Sequence, residues 1–263
     1  MSISNAAQPA FDPANFEKGQ PIDNQFLPWK PGTTFVYHTF ASDGSLEQID
    51  TVTVTEKTKR IDGVTCTVVS DNVTDPQTGQ FLEKTFDYYA QDKSGNVWYF
   101  GESSKAFDNG KVTKAGSWKA GVKGALPGII QEANPQVGDS YDEEFAPNVA
   151  HDHGLVTALN GSKTVPAGSF SNLLVTHETS ALEPGAAEDK YYSAGLGEVF
   201  GVDEVTGEQD RLVSVTTDTG KLQLVQAMAS FGGGGPSLNT SSLNAAASDS
   251  SLQHMLAANS QHS

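Results

Sequence analysis

Residues 49–57 alternate in character with a period of two, in the order Ile49, Asp50, Thr51, Val52, Thr53, Val54, Thr55, Glu56, Lys57. A strand sends successive side chains to opposite faces, so this pattern suits a half-buried antiparallel strand. Short runs rich in Val, Thr, Tyr and Phe recur at 33–40, 64–70, 81–90 and 96–101. More follow at 111–114, 140–145, 154–159, 163–165, 170–179, 190–193, 198–203, 211–217 and 222–227. Turn residues stand between them, as in Ser42-Asp43-Gly44, Asp62-Gly63 and Asp92-Lys93-Ser94-Gly95. Such residues tolerate the backbone angles that tight hairpins need. Turn signals come roughly every ten residues, the spacing of a meander, sandwich or barrel. The expected fold is all-β, a single antiparallel meander curling into a barrel or half-barrel over residues 26–230.

Three segments depart from this rhythm. Residues 1–25 are polar, with scattered Phe11, Phe16 and Ile22, and read as an ill-ordered lead-in that clips onto the core. Residues 116–137 hold Gly121, Gly124, Pro127, Gly128 and Pro135 among Trp118, Leu126, Ile129 and Ile130. They read as a long apolar loop that caps the barrel or roofs a pocket. From Phe231 the glycines Gly232 to Gly235 lead into a Ser, Asn and Ala-rich stretch with Asp249 as its one charged residue. This reads as a disordered tail over 231–263, in which Leu243, Ala247, Leu252, Met255 and Leu256 allow one weak amphipathic helix.

Charge narrows the partners. Against 16 Lys and Arg stand 32 Asp and Glu, a formal net charge of −16. That field repels nucleic acid and anionic membranes and draws cations, Ca²⁺ among them. The same charge is also what a plain solvated acidic surface would show. Cys66 is the one cysteine, so no internal disulfide and no cysteine-based zinc site is expected. It lies in a strand-like run, as a buried inert thiol would. No apolar run is long enough for a membrane span. The first residues lack the basic and apolar regions of a secretory signal. With the glycine-linked tail, this suggests export by an address in the C-terminal segment, although the calcium-binding nonapeptide repeat is missing. A cytoplasmic protein with a frayed end remains the alternative.

Two constellations offer chemistry. His151 and His153 flank Asp152 and on a strand would present two imidazoles to one side, as sites for Zn²⁺ or Cu²⁺ do. His177 is the first choice for a third ligand, with Glu178, Glu143 or Glu144 as others. Asn148 and Gly154 allow instead a turn with solvated histidines. Glu102 follows Trp98-Tyr99-Phe100-Gly101, and Glu144 lies near Tyr141. A carboxyl pressed on aromatic rings gains a raised pKa and can act as a general acid or base. Rim charges that keep a sheet edge soluble are the plainer reading. No phosphate loop, dinucleotide fingerprint or serine elbow is present.

Three segments, Pro31-Gly32-Thr33-Thr34-Phe35-Val36-Tyr37, Trp98-Tyr99-Phe100-Gly101-Glu102 and Lys190-Tyr191-Tyr192-Ser193-Ala194-Gly195-Leu196-Gly197-Glu198-Val199, resemble a group of poorly characterised bacterial β-rich extracytoplasmic and lipoprotein-like domains. The resemblance covers roughly residues 27–217 and implies a β fold outside the cytoplasm; it brings no activity and no catalytic residues. The leading functional expectation is an exported domain that binds a small molecule or metal ion. Trp98, Tyr99, Trp118 and Tyr141 would line its pocket. A metal-dependent or acid/base hydrolase or lyase in the same pocket, and a structural matrix protein, are the alternatives.

Overall fold

The structure, a computed structural model, describes residues 8–108, 110–114 and 116–217. The run 222–227 and the tail 231–263 lie outside the described residues. The described residues form fifteen strands: β1 Thr33–Phe40, β2 Leu46–Ile61, β3 Val64–Thr74, β4 Phe81–Gln91, β5 Val97–Asp108, β6 Lys111–Thr113, β7 Trp118–Lys119, β8 Leu126–Gln131, β9 Ser140–Asp142, β10 Glu144–Phe145, β11 Asp152–Val165, β12 Gly168–Ser180, β13 Ala187–Ser193, β14 Gly197–Asp203 and β15 Gln209–Thr217. Among the described residues the one helical element is a 3-10 turn at Pro13–Asn15. No helix there is long and apolar enough to cross a membrane.

The expected antiparallel meander is what forms. Strands run β10-β8-β5-β4-β3-β2-β1-β15-β14-β13-β12-β11-β9, with β6 and β7 also on β5. The long step is β1 to β15, where the last described strand returns to the first with Thr33 opposite Thr217. The twist common to all strands curls such a sheet, and here it nearly closes. β9 pairs with β11 while β10, two residues later, pairs with β8, so residues 140–145 bridge both ends.

The apolar stretch 116–137, expected to be one long loop, carries two strands with turns between and after them. β7 and β8 both pair with β5, with Trp98 opposite Ile129 and Tyr99 opposite Gly128. Pro127, which cannot donate to a ladder, sits opposite Glu144 in the two-residue pairing with β10. Gly128 is where β8 meets the bridging segment, since a Cβ there would overlap the Asp142 carbonyl and the Glu143 backbone. Gly128→Ala should therefore cost about 3 kcal/mol, at the upper end of ordinary overpacking. Urea denaturation measures this, and an unchanged midpoint would show that the closure tolerates displacement.

A second difference concerns 154–159 and 163–165, read as separate strands. They are one strand, β11, whose register with β12 slips between Ala158 and Ser162. A side chain at Gly161 would press on Val175 Cγ2 at 2.8 Å. Its glycine marks a bulge and not a turn.

Residues from 8 to 29 lie against the sheet. Phe11 and Phe16 pack on Trp98 and Phe100, with ring centroids 5.5–6.1 Å apart. Ile22 is 1% exposed and shares a cluster with Leu27 and Val97. Asn24 fixes the path by donating to the Gly95 and Glu132 carbonyls and accepting from the Phe26 and Leu27 amides. Cys66 is fully buried, and burial pushes its thiol up to about 12, so it stays protonated and inert.

Candidate ligand-binding cavity

Period-two alternation decides which side chains the curled sheet encloses. On β1 one face carries Tyr37 and Thr39, on β2 Gln48, Asp50 and Val52, and on β3 Val69, Asp71 and Val73. β4 adds Asp87 and Tyr89, β13 adds Glu188, Lys190 and Tyr192, β14 adds Glu198 and β15 adds Asp210. β4 and β13 stand at opposite ends of the run β4-β3-β2-β1-β15-β14-β13, yet they line the same space. Only a sheet rolled on itself permits that. The cavity measures about 360 Å³, with Leu27, Trp29 and Ile130 completing its wall.

The cavity is rich in acid. Among the described residues, Asp50, Asp71, Asp87, Glu188, Glu198 and Asp210 face a single cation, Lys190. Register sets this out as a belt. Tyr37 is opposite Asp50, Thr39 opposite Asp210, and Lys190 and Asp210 each lie opposite Gly201. Gly201 has no side chain for a reason visible in the packing. A Cβ there would meet Glu188 Oε1 at 2.8 Å and Glu198 Oε1 at 3.3 Å. The missing side chain leaves room for carboxylates to converge.

Burial raises these acids. Asp50 is held well above the usual carboxylate range by burial first and by the charge of Asp71 next. The two carboxyls share a hydrogen bond that favours the proton on Asp50 and the charge on Asp71. The other Asp50 oxygen, Oδ1, is buried with no partner. Asp87 is raised by burial and by Asp71, against the opposing effect of the Tyr99 hydroxyl that donates to it at 2.8 Å. Glu198 is raised by burial, which Lys190 partly offsets. Burial alone would lower Lys190. Glu178 at 2.6 Å and Glu188 at 3.6 Å overcome this and hold it protonated.

The predicted aromatic residues fall in different places. Tyr99 stacks on the cavity residue Tyr89 at 4.8 Å, and Trp118 meets Tyr99 edge-on at 5.3 Å. Trp29, beyond Tyr89, stands edge-on to it at 4.7 Å. Trp98 points to the other face of β5, where its indole donates to Asp92 Oδ2 at 2.9 Å. Tyr141 is 2% exposed, and its hydroxyl is buried without a partner. Trp29, Tyr37, Tyr89 and Tyr192 are the aromatic residues on the cavity wall, and none of them was among the expected pocket residues.

The candidate acids also separate. Glu102, raised to about 7 by burial and then by Glu83, receives a 3.3 Å bond from Tyr99. Glu144, raised to about 8 by burial and then by Asp152, accepts from the Asp152 amide. Neither lines the cavity.

The histidines occupy two sites. His151 and His153 approach Asp142 Oδ1 at 3.7 and 3.3 Å. His177 lies opposite Asp189 across β12 and β13 and bonds to it at 2.9 Å, on the face away from Lys190. One ligand atom each from His177, Asp189 and Glu204 lies within 4.8 Å of the others. Among the described residues this is the set that offers divalent metal ligands at such spacing. The belt itself was legible in principle. Val69-Asp71-Val73 and Asp50-Val52-Val54 place an acid in the same phase as core valines.

No protein-family model matches the chain, and no curated protein matches it. Among solved structures it is similar to a candidate exported protein with a YmcC-like fold from Bacteroides fragilis. The TM-score is 0.45 and the identity 13%, over 74% of this chain and 100% of that one. It is similar at the same TM-score and identity to a candidate lipoprotein from Parabacteroides distasonis, over 73% of this chain and 99% of the other.

Proposed function

We propose that this protein binds a small organic cation, an amine-bearing molecule, in its acidic cavity. The observation that carries the reading is the imbalance of the wall, six carboxyl side chains around one ammonium, with Asp50 Oδ1 buried and unpartnered. A buried acceptor without a donor is costly, and a ligand ammonium supplies the donor. Trp29 and Tyr89 give the aromatic face that organic cations favour. The volume falls in the range of small-molecule sites. Geometry favours an extended cation over a bare metal ion. Among the described residues no three cavity carboxylates approach one another as metal ligands do, whereas His177, Asp189 and Glu204 outside it do. The setting we propose is extracytoplasmic, on the composition of 231–263; deleting that segment without change in the amount of protein in the medium would overturn this part.

The test is calorimetric titration of the full chain with putrescine, spermidine and choline. Saturable heat is expected from at least one. Asp71→Asn, which removes the charge of the Asp50–Asp71 pair, should weaken it by about tenfold, the value of one charge-assisted hydrogen bond. No heat from any of the three probes, or undiminished affinity in the variant, would remove the proposal.

A further inference from the structure

A second cavity, of about 300 Å³, lies on β7, the β7–β8 turn and the turn after β10. It shares no lining residue with the barrel cavity. Its walls are Trp118, Val122, Ala146, Pro147 and Val149, and the charges on it are Lys119 and Lys123. Among the described residues no lining residue is acidic, in a chain of net charge −16. The surroundings are as unusual as the lining. Val122 is 52% and Val149 43% exposed, and beside them the paired residues Leu126 and Phe145 are 54% and 38% exposed. Large apolar side chains scattered singly over a surface need no explanation, but a group of them around a concavity marks a binding surface. Lys123 is held in the left-handed region at φ 53°, which fixes where its side chain leaves the turn. The Lys119 ammonium lies 5.8 Å from the Tyr88 ring centroid. Two acids lie close, Asp62 against Gly121 and Glu102 opposite Trp118, and neither lines the cavity.

We propose that this cavity binds a small amphiphilic carboxylate, with the chain on Trp118, Val122 and Val149 and the headgroup at Lys119 and Lys123. Charge complementarity selects the headgroup. A cationic amphiphile would meet two ammonium groups and no acid, and a neutral one would leave both lysines without a new partner. The concave shape and the volume of about 300 Å³ select a single short chain over a lipid surface, which needs a convex or flat apolar face.

Decanoate, titrated into the full chain below its micelle concentration, is the probe. Saturable quenching of tryptophan fluorescence is expected, with affinity at least about tenfold above that for decanol, as one charged hydrogen bond provides. Lys123→Glu should abolish the preference for decanoate, and Lys123→Arg should keep it. Lys123 is exposed, so both variants should keep the parent melting temperature. Equal affinity for decanol, or an undiminished preference in Lys123→Glu, would overturn the proposal. So would adsorption to phosphatidylcholine vesicles without saturable decanoate binding, which would identify a membrane surface as the occupant.

Discussion

Lys190→Met is expected to destabilise the fold by about 3 kcal/mol near pH 8, the scale of breaking a buried ion pair from one side. The lysine sits on β13 between carboxylates of its own strand and its neighbours. Glu178 Oε2 is 2.6 Å away, Glu188 Oε2 is 3.6 Å away, and the charge of Glu198 also acts on it. Methionine fills similar volume, so the loss is electrostatic and not a cavity effect. The side chain keeps 24% of its surface open, which places the cost at the lower end of the known range. Urea denaturation reads the effect directly. The loss should shrink near pH 5.5, because Glu188 and Glu198 are raised and take up protons as their counter-charge disappears. A loss equally large at both pH values would mean that Lys190 acts through packing. The proposed ligand adds a further discriminator: a bound diamine should stabilise the variant more than the parent, since it replaces the missing ammonium.

What the sequence made legible follows from how locally each feature is encoded. Asp62-Gly63 was read as a hairpin turn and is one, with φ of 43° and 85° at its two residues. Asp92-Lys93-Ser94-Gly95, another turn in the sequence, joins β4 to β5. These depend on a few neighbouring residues. The two strands within 116–137 were missed because glycine and proline usually mark loops. Here Gly128 is present for a close backbone approach from 140–145, and nothing adjacent to it in sequence reveals that neighbour. The acid belt was missed for the same reason. The phase of Asp50 and Asp71 with core valines places each on an inner face, but only the rolled sheet brings them and Asp210 to one wall. His177 shows the converse. Its sequence neighbour Glu178 points into the barrel toward Lys190, while its partners Asp189 and Glu204 come from β13 and the turn after β14. Strand alternation separates adjacent residues, and register brings distant ones together.

The second large effect is on pH. Melting temperature should rise by about 10 °C on going from pH 8.5 to pH 6, on a stability gain of roughly 3–5 kcal/mol. The sign follows from which state holds more protons. Glu144 is raised to about 8 in the folded chain by burial and then by Asp152, and Glu102, Glu132 and Glu208 to about 7, in each case chiefly by burial. In the unfolded chain a glutamate titrates near 4.3. Between those values the folded state binds more protons, so stability falls as pH rises from about 4 to 8. Asp50, Asp87 and Glu198 are raised in the same direction. Glu102, Glu132 and Glu208 are part-exposed and screened by water, so Glu144, 4% exposed, carries the largest single share. His38 opposes: burial lowers its pKa, which withdraws stability as pH falls below about 6.5 and sets the lower limit of the gain. Repulsion within a chain of charge −16 also relaxes on acidification. Salt separates the two causes, because it screens surface repulsion much more than buried carboxyls. The rise should therefore persist in about 0.5 M salt, where the screening length is under roughly 5 Å. Glu144→Gln should flatten it by removing one titrating group without removing volume. A melting temperature that stays level or falls over this interval would mean that these carboxyls are solvated in the folded chain.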